Sequence, residues 1–201
     1  MRIRGYSKIF LLPILALLPT LVSAHHPNGY KLPASMMEGL LSGLGHPVID
    51  FEHLLFIVGI GILAYLLRQR AVIPSVFILS TLLGTLLHLN KINLPHVEAM
   101  IALSLVLLAT LLLTGWHRKA AGILLATGGL VHGYAYAESI IGAETTPLVA
   151  YLAGFGTVQL IVCLATVFTC QGLANSKLLN KTVLSRIYGL LALCGGAYLL
   201  V

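Results

Sequence analysis

Apolar runs long enough to cross a bilayer alternate with short polar separators along most of the chain. At about 20 residues per crossing, the runs fall near 47–67, 72–90, 95–115, 120–139, 147–170 and 183–201. The separators are RQR at 68–70, NKIN at 90–93, WHRK at 116–119, ESIIGAETT at 138–146 and QGLANSKLLNK at 171–181. Linkers this short join antiparallel neighbours. Pro74, Pro95 and Pro147 lie near helix starts, where a missing N–H costs nothing. Residues 32–45, LPASMMEGLLSGLG, are too short and glycine-rich for a span. They predict a short interfacial or re-entrant helix, broken at Gly45-His46-Pro47 because the residue before proline disfavours helical torsions. The expected architecture is an all-α polytopic membrane protein, with an exported segment over 25–46 and a bundle of six transmembrane helices over 47–201.

The first 24 residues have a different pattern. Arg2, Arg4 and Lys8 precede an apolar stretch from Ile9 to Leu21, and Val22-Ser23-Ala24 supplies small residues for cleavage. This predicts a signal peptide over 1–24 and a mature chain beginning His25-His26-Pro27. That exposed amino terminus offers two imidazoles to a divalent metal, or forms an ordinary exported tail.

Composition agrees with the periodicity and excludes much else. Apolar residues make up 58% of the 201, and Asp, Glu, Lys and Arg together only 9%, where soluble domains carry about 25% charge. Soluble-enzyme, nucleic-acid-binding and disordered readings fall away. The net charge of +6 records topology rather than partners. With the mature N-terminus exported, the first, third and fifth connections face the cytoplasm. They hold Arg68, Arg70, Arg118, Lys119, Lys177, Lys181 and Arg186, seven of nine mature basic residues, which is a positive-inside pattern. The expected location is the plasma (inner) membrane. Cys163, Cys170 and Cys194 show no disulfide or CxxC pattern and read as small buried side chains.

The same topology sorts the remaining ionisable groups. All six mature acids, Glu38, Asp50, Glu52, Glu98, Glu138 and Glu144, map to the exported surface or outer halves of spans, as do seven of the eight histidines; His117 alone lies at the cytoplasmic end. Ionisable groups within spans are costly and mark pathways, so carboxylates and imidazoles gathered at one face predict a cation entry site. The densest cluster is His46-Pro-Val-Ile-Asp50-Phe-Glu52-His53. On one helix His46, Asp50 and His53 share a face, and Glu52 points elsewhere. Two imidazoles with one or two carboxylates suit Ni²⁺, Co²⁺, Zn²⁺ or Fe²⁺ better than Ca²⁺ or Mg²⁺; the alternative is a hydrogen-bonded polar seam without metal.

Other spans contribute further candidates. His88 shares a face with Thr81 and Thr85 and is a candidate ligand or relay. Glu98 faces the bundle just inside the outer boundary, beside a solvated His96. His132 lies at a depth similar to that of His53, in a glycine- and alanine-rich segment that brings helices close, with Tyr136 one turn on and Glu138 near the mouth. Tyr151, Gly154, Gly156 and Gln159 form a small and polar stripe that lines the path or packs.

These residues resemble the HupE/UreJ family of small membrane proteins associated with nickel or cobalt supply, many with a cleaved signal peptide and six mature spans. The family signature H-P-x-x-G-x-D-H is matched by HPVIDFEHLLF at His46, Pro47 and His53; Glu52 replaces the aspartate, and Asp50 stands where glycine is usual. LPHVEAMIALS at 94–104 resembles the family's proline-x-x-glutamate segment. VHGYAYAE at 131–138 resembles its H-G-x-A-H-G-x-E segment, with Tyr136 in place of the second histidine. The resemblance implies metal uptake, with His46, Glu52, His53, His132 and Glu138 as metal contacts and, less directly, Glu98. Ni²⁺ or Co²⁺ is the expected cargo, and Zn²⁺ suits the same donors. The bilayer and the cation are the expected partners, with metal-delivery or metalloenzyme-assembly proteins beyond them and no nucleic acid. No GxxxxGK[ST] loop occurs, so this chain is not expected to drive transport with ATP. The chain is expected not to be an enzyme: no HExxH motif supports an intramembrane hydrolase. A membrane b-type haem protein and a non-transporting metal-binding accessory protein are the competing readings.

Overall fold

The computed structural model describes residues 31–115 and 119–200; the expected signal peptide, His25, His26 and His117 lie outside them. The described elements are helical. They are α1 (Met36–Ile49), α2 (Phe51–Leu66), α3 (Val72–Leu89), α4 (Val97–Thr114), α5 (Lys119–Ala126), α6 (Gly129–Tyr136), a 3-10 turn (Ala137–Ser139), α7 (Thr145–Asn175) and α8 (Lys181–Tyr198).

Helices α3, α4 and α7 are each long and apolar enough to cross a membrane, and α1 with α2 qualifies as one bent pair. The 31 residues of α7 span about 46 Å at 1.5 Å per residue, longer than a hydrocarbon core of about 30 Å.

Three sequence expectations need adjustment. The chain does not break at Gly45-His46-Pro47. Pro47 sits inside α1, where it removes the bond to the Gly43 carbonyl, and the helix stops within a turn, at Asp50 (φ −79°, ψ 114°). There α1 and α2 meet at 78°. The expected fourth span is interrupted: Thr127 and Gly128 separate α5 from α6, as the low helix propensity of the Gly128-Gly129 pair allows. Cys194 is exposed, whereas Cys163 and Cys170 are buried; on the outward face of α8 a thiol behaves as a small apolar group.

Helix α2 is enclosed by its neighbours. Phe56, Ile60 and Leu63 pack with Leu105, Leu108 and Leu112 of α4, Phe77 of α3 and Cys163 and Val167 of α7. The outer faces stay apolar, with Leu79, Leu83, Leu103 and Phe168 exposed, as a lipid-facing surface requires. Two crossings bring backbones into contact. A Cβ on Gly43 would overlap the Tyr151 carbonyl, and one on Gly133 would overlap that of Thr81. Small residues permit such approach, and both crossings flank the polar centre of the molecule.

Candidate metal site

The bend at Asp50 assembles the site. On a straight helix His46 and His53 would be separated by about 10.5 Å of rise, too far to share one ion. Folded at Asp50, their ring centroids lie 6.1 Å apart. The carboxylate sits between them: Asp50 Oδ2 is 3.2 Å from His46 Nε2 and 3.9 Å from His53 Nε2. Asp50 occupies the N-cap position of α2 yet makes no side-chain capping bond, and its Oδ2 faces the imidazoles. All three residues are buried, and their ligand atoms lie within 4.8 Å of one another. Metal bonds of about 2.0–2.2 Å need only a small contraction of this triad.

Hydrogen bonds from other helices fix the rings. Ser104 on α4 donates to the Ile101 carbonyl at 2.7 Å and lies 2.9 Å from His132 Nε2. Its one proton is then used, so His132 Nε2–H donates to Ser104 and Nδ1 accepts. His53 Nδ1, 2.8 Å from His132 Nδ1, supplies that donor, and the His53 Nε2 lone pair is turned toward Asp50. His46 is held similarly. Tyr151 donates to the Tyr136 carbonyl at 2.8 Å. Ser139 donates to the same carbonyl at 3.1 Å or to Tyr151 Oη at 3.0 Å. His46 Nδ1 therefore donates to Ser139 Oγ at 3.1 Å. Both Nε2 atoms thus face one carboxylate with their partner nitrogens engaged, the arrangement that orients metal-ligating histidines.

The second oxygen of the carboxylate strengthens this. Asp50 Oδ1 is buried without a hydrogen-bond partner, and a buried carboxylate left uncompensated is strongly unfavourable. A cation between Asp50 and the two imidazoles removes that deficit. The described His46–Asp50–His53 cluster is consistent with coordination of a divalent cation.

The other candidates fall into three groups. Glu52, Glu98 and Glu138 line, together with His53, a cavity of about 340 Å³ that also touches Val97 and Leu199. His132 lies behind His53, fully buried, with its ring stacked on Phe56 at 4.3 Å. His88 is placed apart: it stacks on Tyr134 at 3.9 Å, and its Nδ1 is 2.8 Å from the Tyr134 carbonyl. Tyr136 packs edge-on against both triad rings, at 5.2 Å from His46 and 4.5 Å from His53. Sequence reasoning did not single out Ser104 or Ser139; a lone serine within MIALSLVLLA was the only signal for the first.

The family model described as HupE / UreJ protein matches residues 13–199. The chain is 30% identical over 203 residues to Protein HupE of Rhizobium leguminosarum bv. viciae, covering 98% of each chain. No solved structure matches it.

Proposed function

Because the chain belongs to the HupE/UreJ family, we propose that it is a six-span permease of the plasma membrane that takes up Ni²⁺ or Co²⁺ from the exported side. The observation that carries this reading is the buried Asp50 carboxylate, set between two oriented imidazoles with one oxygen unsatisfied. The cavity of Glu52, Glu98 and Glu138 opens onto His53 and supplies the negative potential that concentrates a cation before it loses water. His46, Asp50 and His53 then replace part of its hydration shell, with His132 holding His53 in its ligating tautomer. Imidazole and carboxylate donors favour Ni²⁺, Co²⁺ or Zn²⁺ over the hard alkaline-earth ions.

The haem alternative fits less well. Both Nε2 atoms converge on Asp50 Oδ2, which occupies the position an iron between two axial histidines would need. A non-transporting accessory protein remains the second reading, since the buried triad suits binding as well as passage. Uptake of labelled Ni²⁺ into vesicles carrying the full chain separates the two: binding without flux supports the accessory protein. In an active preparation the His46→Ala/His53→Ala double variant is expected to lose uptake, and unchanged flux would refute the site.

A further inference from the structure

The end of the bundle opposite the acidic cavity holds a second cavity, of about 350 Å³. Its lining joins Leu66 at the end of α2 and Leu112 and Leu113 near the end of α4 to Lys181, Thr182 and Arg186 in the first turns of α8. Among the described lining residues there is no carboxylate. Nearby segments cannot supply one, because no Asp or Glu occurs in residues 53–97 or 145–201. The ion pairs of the described residues are both at Asp50, at the far end of α2. Lys181 lies 5.4 Å from the centre of the Tyr65 ring, a contact that leaves its charge without a counter-ion.

The neighbouring polar groups are already committed. Asn180 Oδ1 accepts from the backbone N–H of Thr182 at 2.9 Å and of Val183 at 3.2 Å, so the start of α8 is capped from within. Ser185 donates to the Leu112 carbonyl at 2.6 Å and Thr114 to the Thr110 carbonyl at 2.6 Å. Among the described residues, the side-chain donors left to the cavity are the Lys181 ammonium, the Arg186 guanidinium and the Thr182 hydroxyl. That set suits an anion with several oxygens.

Depth narrows the choice. Helix α4 has 18 residues, about 27 Å at 1.5 Å per residue, close to a hydrocarbon core of about 30 Å. Its last residue, Thr114, and Gly115 line the cavity, which therefore sits at the hydrocarbon boundary, the level of lipid phosphates. On α8 Val183, Ile187, Leu190 and Leu191 are exposed and offer an apolar surface to acyl chains.

We propose that this cavity binds the phosphate of an anionic phospholipid in the leaflet at that end, with Arg186 and Lys181 as charged contacts and Thr182 as a hydroxyl donor. Basic pockets between spanning helices take such headgroups. The guanidinium fork matches two phosphate oxygens, and the ammonium acts as a point charge. A lipid held there ties the ends of α2 and α4 to the start of α8. Its binding is independent of whether the chain carries metal or only binds it.

The test uses the full chain, purified in neutral detergent and stripped of lipid. It is titrated with phosphatidylglycerol, phosphatidylcholine and inorganic phosphate, with bound lipid counted by native mass spectrometry and Tm read alongside. The wild type should bind phosphatidylglycerol about tenfold or more tightly than phosphatidylcholine and gain Tm from it. Each charge near an anionic surface is worth about a factor of five. Lys181→Gln/Arg186→Gln should therefore weaken that binding by about 10- to 30-fold, and Arg186→Gln alone, at an exposed position, by about fivefold. The control Arg70→Gln/Lys177→Gln removes equal charge from exposed residues that do not line the cavity and should stay within about twofold. Equal losses in cavity and control variants mark general surface charge and overturn the proposal, as does a wild type without preference for phosphatidylglycerol. Inorganic phosphate binding as tightly as the lipid overturns the assignment to a lipid. If the double variant folds poorly, Arg186→Gln against Arg70→Gln decides by the same criterion.

Discussion

Asp50 concentrates the chemistry of the molecule in one side chain. It ends α1, begins α2, and places a charge where no protein donor meets its second oxygen. Replacing it with asparagine keeps the shape and removes the charge. Ni²⁺ affinity should fall by more than about 100-fold, since loss of outer-shell partners alone costs 10- to 100-fold. The metal-free protein should unfold at about the same temperature, because the charge lost has one oxygen facing two imidazoles and the other buried without a partner. Thermal unfolding with and without Ni²⁺ checks both halves: stabilisation by metal should vanish in Asp50→Asn, and its persistence would remove Asp50 from the ligand set. Ser104→Ala is subtler. The hydroxyl touches His132 and none of the triad, and it sets the tautomer of His132 and through it that of His53. Affinity should drop by about 10-fold with little change in fold, a difference that calorimetry resolves.

Helices were legible where one apolar run is one helix. Residues 72–90 and 95–115 anticipate α3 and α4 to within two residues at each end, since polar turns and a nearby proline bracket each run. The run at 120–139 conceals its break because hydropathy sums over Thr127 and Gly128 without registering lost helical bonds. The bend at Asp50 was displaced from its expected place for a related reason: proline marks where a helix weakens, and the tertiary site decides where it stops. Spacing put His46, Asp50 and His53 on one face, but only the bend at Asp50 brings them within reach of one ion. Ser104 and Ser139 reach them from distant segments and carry no local pattern, and the stripe that includes Tyr151 left open whether it lines the path or packs. The glycines of α7 show the same limit. Gly154 and Gly156 read as one stripe, yet a Cβ on Gly154 would meet the Leu40 carbonyl at 2.6 Å, whereas nothing lies within 4 Å of one on Gly156. Gly154→Ala should therefore destabilise the protein by about 1–3 kcal/mol through overpacking of α1 on α7. Gly156→Ala should be neutral or stabilising by up to about 1 kcal/mol from helix propensity. Denaturation of the two variants checks the contrast, and equal effects would mean that α1 does not pack on α7 as described.

Across the whole molecule the charges separate by end. The cavity at one end is lined by the starts of α2 and α4 with Glu52, Glu98, Glu138 and Leu199. At the other, the ends of α2 and α4 meet the start of α8 around Lys181 and Arg186, enclosing about 350 Å³. An acidic mouth at one face and a basic rim at the other give a cation a direction of approach. If the acidic mouth steers the ion, its effect must be screened by salt, since the Debye length is about 10 Å at 0.1 M and 30 Å at 0.01 M. Glu98 and Glu138 are the exposed members. The Glu98→Gln/Glu138→Gln double variant should therefore raise the apparent KM for Ni²⁺ uptake by up to about 10-fold at low ionic strength. The gap should narrow as salt rises, with maximal flux unchanged. Uptake measured against metal concentration at two ionic strengths distinguishes this from direct ligation: a ligand lost from the transport path would depress flux at every salt concentration, whereas a steering charge acts only while its field reaches the ion.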